Sequence, residues 1–518
     1  MGPADSAARL WQAGDRAGAI DAYRRLVAQH PDNPDLARAL ALALREHGRL
    51  DEAVAALDRL MGQGSVRADI ARIHGETRHA QALTLIRAGR RAEGVAVLWR
   101  VVADHPGDEQ AHLNLARLLF AEGQREVPAG LLAGLVAQRP DLPAPALAEL
   151  AVLLAEAGSP EAAEAASRLA LNGEARADKT TPADWWVTLG LALHQQDRLD
   201  EALGAYQQAL ALDPLHVAAR CNAAMVDLAH GDLVGGFAGF ERRRGDPPAL
   251  PAPAALAGQR VVLEGEQGHG DTLHFARYAP MVAAAGAEVT LRVQPALVRL
   301  LAGMPGVARV VGNDLPSRDA ALHLPLASLP LLFGSTLATI PAHVPYVTAD
   351  RHAVAAWRGR LAALPGIKVG LAWAGDPRRT LSDRAMDARR SMAPATLAPL
   401  AELGGFTFVS LQKSAAQTPC DHMTLVDWTS ELGDFADTAA LVTALDLVIT
   451  VDTAVVHLAG ALGRPVWLLN RLDADWRWLR GRDDSPWYPT LRQFRQTVRG
   501  DWADVVRRVA AALEPRRR

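Results

Sequence analysis

The sequence predicts two kinds of architecture in one chain: an α-helical repeat array followed by an α/β half with parallel sheets. Small and apolar residues recur at a spacing of 34 residues in the first half. A segment rich in proline and arginine then interrupts the helical pattern, and short β-branched runs separated by segments of helix length follow it. Recurring helix pairs stack on their neighbours, and strands that alternate with helices form parallel sheets.

The first part of the chain carries the repeat. Gly14 and Gly48 are 34 residues apart, and so are Gly89 and Gly123. This period is that of the tetratricopeptide repeat, a helix pair whose small residues allow close packing. The clearest unit begins at Trp185 and ends with Asp213-Pro214.

Residues 1–242 have room for six or seven such units. Arrays of this kind form a superhelix whose concave face usually binds a peptide or a protein, so we expect such a partner here. The alternative is that the repeats only dimerise the chain or hold the next domain.

We expect a linker over residues 243–259, where prolines and charges replace the helical pattern. A first Rossmann-like half should follow at 260–362 and a second at 363–518. The β-branched or apolar runs that predict their strands are Val261–Leu263, Val289–Val293, Val307–Val311, Lys368–Trp373, Phe406–Leu411, Leu447–Thr450 and Pro465–Leu469.

Composition excludes several classes of protein. The net charge of −3, from 55 basic and 58 acidic residues, provides no general attraction for nucleic acid. Cys221 and Cys420 lack the neighbours of a metal or redox motif. We expect no cleaved leader, because the first residues show no basic region followed by an apolar run, and no membrane span, because no apolar run is long enough. We expect a cytoplasmic protein without nucleic-acid partners and with at most peripheral membrane contact.

Two turns are candidate ligand sites. The stretch from Leu445 to Val466 contains a buried strand, the polar turn Asp452-Thr453, a helix start and a second strand. Free backbone N–H groups at such a helix start bind phosphate. In the first Rossmann-like half, Gly268 and Gly270 flank a turn that lets the backbone approach a ligand, and Asp271 follows at the next helix start.

Around these turns the chain resembles the GT-B glycosyltransferases of the heptosyltransferase family (glycosyltransferase family 9), in particular bacterial proteins that join tetratricopeptide repeats to such a domain. The segments that carry the resemblance are 266–272 and 452–461, in that order, with support from 410–413, 435–441, 475–478 and 484–489. It implies two Rossmann-like domains facing a cleft. It also implies transfer of a sugar from a nucleotide sugar to a protein or glycan acceptor, with inversion and without a metal or other cofactor.

The resemblance assigns a role to each candidate residue. Asp271 matches the carboxylate proposed to deprotonate the acceptor, and Gly268 and Gly270 form its backbone turn. The candidate donor-binding residues are Trp373, Arg390, Ser391, Gln412, Lys413, Asp437, Thr438, Asp452, Thr453, Ala454 and His457.

Structural roles are the alternative for several of these side chains. Asp271 and Asp437 are also suited to cap helices. His457 and Trp373 are equally suited to a buried core, and the arginine-rich loop 376–392 to a solvated surface. Trp476, Arg477 and Trp478 predict either a stacking wall or a clamp on the C-terminal helix.

The chain departs from the family at three places. Asp376 stands where the subgroup usually has Asn, the segment 377–389 is longer than expected, and the segment 469–473 lacks the small, proline-rich turn that is common after the final strand.

Three other functions compete with this interpretation. A protein O-linked N-acetylglucosamine-type transferase also joins repeats to a GT-B domain. A scaffold would keep the fold and the nucleotide pocket without turnover. A dehydrogenase is disfavoured because neither first strand is followed by Gly-x-Gly-x-x-Gly.

Overall fold

The computed structural model describes residues 3–62, 67–174, 182–245, 249–314, 322–376, 380–413 and 423–516. Cys420, residues 246–248 of the predicted linker and residues 377–379 of the arginine-rich loop lie outside these ranges. The chain divides into two compact units, Met1–Ala157 and Gly158–Arg518.

The first unit consists of antiparallel helix pairs. Its helices are α1 (Pro3–Gln12), α2 (Arg16–Gln29), α3 (Pro34–Glu46), α4 (Leu50–Met61), α5 (Ala68–Arg87), α6 (Arg91–Asp104), α7 (Glu109–Ala121), α8 (Glu126–Gln138) and α9 (Ala144–Ala157). The recurring glycines Gly14, Gly48, Gly89 and Gly123 lie between helices with φ of +87°, +78°, +80° and +89°. Glycine adopts this left-handed conformation at little cost, so the turn explains the period seen in the sequence.

The second unit begins with further repeat helices. These are α10 (Pro160–Glu174), α11 (Ala183–Gln195), α12 (Leu199–Leu212), α13 (Val217–His230) and α14 (Leu233–Phe240). The boundary between the units therefore lies inside the predicted array of residues 1–242. Apolar packing explains this: the Phe237 ring of α14 lies 5.4 Å from Trp476 and 6.4 Å from Phe275, both in the α/β half.

The first α/β domain contains β1 (Arg260–Glu264), α15 (His269–Ala276), α16 (Ala279–Ala284), β2 (Glu288–Val293), α17 (Pro295–Leu301), β3 (Val307–Gly312), β4 (Leu322–Pro325) and α18 (Leu329–Leu332). Within the described residues, the strand order is β3-β2-β1-β4 and every pairing is parallel. The chain leaves β1 toward one side of the sheet and returns as β4 on the other, which places a switch point between these strands.

The second domain repeats this plan. Helix α19 (Arg351–Ala362) leads to β5 (Ile367–Ala372), α20 (Leu381–Arg390), α21 (Ala398–Ala401), β6 (Phe406–Ser410), β7 (Leu425–Val426), α22 (Phe435–Ala444), β8 (Leu447–Val451), α23 (Ala454–Ala461), β9 (Val466–Asn470), β10 (Leu491–Arg495) and α24 (Trp502–Leu513). The parallel order in the described part is β10-β9-β8-β5-β6-β7, the strand order of dinucleotide-binding folds. The prediction of a helical repeat array followed by two Rossmann-like parallel domains is confirmed.

Candidate functional site

The second sheet has its switch point between β5 and β8. Ala372 pairs with Thr450 in the parallel register, so the two strands end side by side. Ligands of open α/β sheets bind in the crevice at the carboxyl ends of such strands. The loop 373–376 and the turn Asp452-Thr453 both leave the sheet at this crevice.

Thr453 and Ala454 form the start of α23. Thr453 is the N-cap, and its hydroxyl accepts a hydrogen bond of 3.4 Å from the backbone N–H of Val455. The first backbone N–H groups of a helix have no partner within the helix, and its dipole is positive at this end. The turn is therefore suited to an anion, as the sequence predicts.

Asp452 lies just before this helix start. Burial, reinforced by the nearby carboxylate of Asp475, raises the pKa of the Asp452 side chain above its ordinary value. Its backbone carbonyl accepts a hydrogen bond of 3.3 Å from Nη1 of Arg390. The structure thus brings Arg390, at the end of α20, to the predicted anion-binding turn.

Ser391 and Gln412 shape the opposite wall of the crevice. The Ser391 hydroxyl accepts a 2.9 Å hydrogen bond from the backbone N–H of Gly375. Oε1 of Gln412 accepts from the backbone N–H groups of Trp373 and Ala374 at 3.0 and 2.9 Å, and its Nε2 donates to the carbonyl of Ala374 at 3.0 Å. These side chains lie at the site, where they fix the β5 loop.

Trp373 itself is buried in the core beneath that loop, with 4% of its surface exposed. It packs in one cluster with Val369, Met392 and Val451. This is the core position that the sequence left open as an alternative.

Lys413, Asp437 and Thr438 form a second group, around the start of α22. Nζ of Lys413 donates to the carbonyls of Leu432 and Gly433. The Asp437 carboxylate accepts from the backbone N–H of Gly433 at 2.9 Å, and the Thr438 hydroxyl donates to the carbonyl of Asp434 at 3.1 Å.

Asp437 also connects the two α/β domains. Its carboxylate, like that of Asp434, pairs with Arg299 at the end of α17 in the first domain. Asp437 thus caps a helix and joins two domains, and no described contact links it to Asp452.

His457 lies inside the contact between the α/β domains. Its Nδ1 is 3.0 Å from the Tyr488 hydroxyl, and its ring stacks on Trp478 with centroids 5.4 Å apart. Burial, followed by the charges of Arg477 and Arg277, lowers the pKa of His457 well below its usual value, so the ring is neutral at pH 7. In this structure the ring contributes packing to the domain contact.

Asp271 is the third residue of α15 and faces the first domain's switch point. Its Oδ2 accepts from the backbone N–H of Gly268 at 3.0 Å, so it caps the helix as one of the two predicted roles requires. A small pocket that is open to solvent lies beside it, between the loops that follow β1 and β4. Its lining residues are Gly265, Glu266, Gln267, Asp271, Thr272, Phe275, Leu326 and Ala327.

The starts of α15 and α23 are in direct contact. A Cβ placed on Gly270 would lie 2.8 Å from Cδ2 of His457 and 3.4 Å from Cα of Ala454. Only glycine permits this approach without displacing a neighbour. The pocket that contains Asp271 and the anion-binding turn therefore meet at this contact between the starts of α15 and α23, the seam of the two α/β domains.

Arg477, for which the sequence predicts a stacking wall or a clamp on the C-terminal helix, lies at the site and pairs with Asp271. Its guanidinium donates to Oδ1 of Asp271 at 2.6 Å and to Oδ1 of Asp475 at 2.9 Å. It also lies 4.4 Å above the Trp476 ring. The spacing of Asp475 and Arg477 indicates that these two side chains can pair. The contact of Arg477 with Asp271, 206 residues away, cannot be predicted from a single sequence.

The repeat helices reach the same region. Nη2 of Arg243, just after α14, pairs with Glu266 in the pocket lining and donates to the Ser328 hydroxyl at 3.1 Å. Asp197, between α11 and α12, pairs with Arg480 in the loop after β9. The last repeats of the array thus contact both walls of the seam.

The described residues form neither a metal-binding cluster nor a membrane-spanning helix. No group of three or more His, Cys, Asp or Glu side chains in these ranges could hold a metal ion. No helix among them has the length and apolar character needed to cross a bilayer.

The fold and the sequence together define a tetratricopeptide-repeat protein whose second half consists of two parallel α/β domains. Tetratricopeptide-repeat family models match residues 10–75, 79–143 and 183–216. The chain is 28% identical over 336 residues to Protein FlbA of Caulobacter vibrioides, an alignment that covers 56% of this chain and 54% of that protein. The chain thus spans about half the length of this relative.

Solved structures give two further similarities. A glycosyl transferase family 9 structure from Veillonella parvula matches with a TM-score of 0.39 at 10% identity, covering 50% of this chain and 97% of that one. The ADP-heptose heptosyltransferase II of E. coli matches with a TM-score of 0.35 at 15% identity, covering 49% of this chain and 98% of that one.

Proposed function

We propose that this protein is a GT-B glycosyltransferase that moves a sugar from a nucleotide sugar to an acceptor hydroxyl. One observation carries the proposal: Asp271 and the start of α23 lie on opposite sides of the seam closed at Gly270. A candidate base and a candidate phosphate site then face each other across two domains, as transfer between two substrates requires. The resemblance of segments 266–272 and 452–461 to the heptosyltransferase family supports the same reaction.

On the donor side, the developing charge is that of a leaving nucleoside diphosphate. The backbone N–H groups after Thr453 and the guanidinium of Arg390 supply positive potential at the crevice. Fixed donors of this kind stabilise a leaving phosphate without reorganising during the reaction. We therefore propose that transfer needs no metal and, from the resemblance, that it inverts the anomeric centre.

On the acceptor side, Asp271 acts as the general base. Arg477 and the N–H of Gly268 hold one oxygen each of its carboxylate, which fixes the side chain at the pocket. A carboxylate held this way can accept the proton of a hydroxyl that lies within hydrogen-bond distance. The acceptor is a protein or a cell-surface glycan, and the contact of Arg243 with Glu266 supports a part for the repeats in binding it. A cytoplasmic location stays a prediction.

Turnover by the full chain tests this proposal. Purified protein is incubated with ADP-, GDP- and UDP-sugars and a mixture of protein and glycan acceptors, and release of the nucleoside diphosphate is measured with and without EDTA. We expect release from one donor class, unaffected by EDTA and reduced at least about 100-fold in Asp271→Asn, as is usual for loss of a general base. Glu288→Gln, an exposed carboxylate at the far end of strand β2, is the matched control and should turn over normally.

The result also separates the enzyme from a scaffold. A folded protein that binds a nucleoside diphosphate but releases none from any donor would contradict the enzyme and favour a repeat scaffold with an inactive transferase domain. Transfer of N-acetylglucosamine to a protein hydroxyl would favour the O-linked N-acetylglucosamine-type alternative.

A further inference from the structure

Arg471 occupies the place where the sequence lacks a small, proline-rich turn. Strands β8 and β9 pair in parallel with Val451 beside Leu469, so Asn470 lies beside Asp452 at the edge of the sheet. Neighbouring strands are about 4.8 Å apart. Arg471 is the next residue, and it therefore leaves the sheet next to the start of α23.

The guanidinium of Arg471 is buried, and two of its nitrogens make no hydrogen bond in the described part of the chain. Only 9% of the residue is exposed. Within the described part of the chain, its Nε and Nη1 are buried and have no hydrogen-bond partner. A buried donor without a partner costs free energy, more so when it is charged. This arrangement indicates a group that is completed by a ligand.

The neighbouring carboxylates do not complete it. Asp473 lies 3.7 Å from Nε of Arg471, beyond hydrogen-bond length, and its other oxygen accepts from Nε of Arg389 at 3.0 Å. Arg390 is paired with Asp387. Of these three arginines, Arg471 is the one left with two buried free donors.

The positive charge of Arg471 also acts on the anion-binding turn. Positive charge from Arg471, together with that from Arg390, opposes the effect of burial and Asp475 on the pKa of the Asp452 side chain. Arg390 donates to the Asp452 carbonyl, so both cations act on the same turn. Each could add a donor to an anion bound at the helix start.

The backbone around Arg471 is held rigidly. The N–H of Gln496 donates to the carbonyl of Asn470 at 2.9 Å, and Oε1 of Gln496 accepts from the N–H of Leu472 at 3.2 Å. Both neighbours of Arg471 are therefore anchored to the same residue. A cation held in place before binding loses little freedom when the ligand arrives.

We propose that Arg471 binds a phosphate of the donor's nucleoside diphosphate, together with the N–H groups at the start of α23. The inference rests on the proposed function and extends it by naming a phosphate-binding cation that neither the motifs nor the resemblance assign. The planar guanidinium presents its Nε and Nη donors side by side, which suits the two oxygens of a phosphate.

Calorimetric titration of the full chain tests this role. Wild type, Arg471→Gln and Arg471→Lys are titrated with ADP, GDP and UDP. We expect Arg471→Gln to bind the preferred diphosphate about 10- to 100-fold more weakly, the usual effect of losing a charge-assisted hydrogen bond. Arg471→Lys keeps the charge but loses the paired N–H donors of the guanidinium, so its affinity should lie between those of wild type and Arg471→Gln. Arg492→Gln, an exposed arginine on β10 whose guanidinium lies 4.7 Å over Phe494, is the control and should bind as wild type.

The outcomes separate this inference from the function it rests on. If wild type binds none of the diphosphates, the proposed function fails. If wild type binds and folded Arg471→Gln binds equally well, the inference is wrong and water satisfies the buried donors. If Arg471→Gln does not fold, Arg471→Lys decides: an undiminished affinity would overturn the phosphate role.

Discussion

Replacing Gly270 with alanine tests the contact on which the site depends. The new methyl group would lie 2.8 Å from Cδ2 of His457 and 3.4 Å from Cα of Ala454. The His457 ring does not move easily, because it is stacked on Trp478 and hydrogen-bonded to the Tyr488 hydroxyl. Cα of Ala454 does not move easily because it belongs to the backbone of a helix. Overpacking of this kind costs about 1–3 kcal/mol of unfolding free energy.

Gly359→Ala is the matched control. Gly359 lies inside α19, and a Cβ there would meet no atom within 4 Å. A helix is about 0.5–1 kcal/mol more stable with alanine than with glycine at an interior position, so the control substitution should stabilise the protein. Unfolding in urea should therefore separate the two variants by about 1.5–4 kcal/mol. Gly270→Ala should also weaken diphosphate binding, because it pushes the two helix starts apart. Equal stability of the two variants would refute the contact.

Two further predictions concern stability. Burial lowers the pKa of His194 to about 4, whereas an unfolded histidine titrates near 6.5. The unfolded state therefore takes up the proton first, and the stability from neutral His194, about 3 kcal/mol, is present above pH 6.5 and lost as the pH falls toward 4. Urea titrations from pH 7 to 4 should show a shallower fall in His194→Gln, and an unchanged slope would contradict the burial. A fragment 158–518 should unfold cooperatively. A fragment 249–518 should have an unfolding free energy lower by more than about 3 kcal/mol, because loss of the contacts of Phe237 alone costs that much. Equal urea midpoints for the two fragments would show that the repeats do not support the α/β half.

Much of the fold follows from local sequence signals. The period of the first half reflects glycines such as Gly48, which must adopt positive φ between two helices. The buried strands are short apolar runs, and the turn at Asp452-Thr453 carries its own capping side chain. These features depend on residues close together in the chain, so the sequence predicts them.

The contacts between elements could not be read in this way. The pairing of Arg477 with Asp271 and that of Arg299 with Asp437 join residues far apart in sequence. Packing of Phe237 on Trp476, which makes the last repeats part of the second unit, is equally nonlocal. An apolar helix face is the same in sequence whether it covers another repeat or a sheet domain.

The assignment of individual roles depends on the same contacts. Gln412 lies at the crevice, where its amide is hydrogen-bonded to the backbone of the β5 loop; its role in donor binding stays a prediction. A single sequence does not reveal which hydrogen bonds a polar side chain makes inside the protein.

We propose that the crevice at the start of α23 binds a nucleoside diphosphate without a metal. Calorimetric titration of the full chain with ADP, UDP and GDP in EDTA, and then with Mg²⁺, measures this binding. We expect one diphosphate to bind in EDTA and Mg²⁺ not to strengthen its binding. Binding that requires Mg²⁺, or no binding of any of the three by folded protein, would show that the crevice is not a metal-independent diphosphate site.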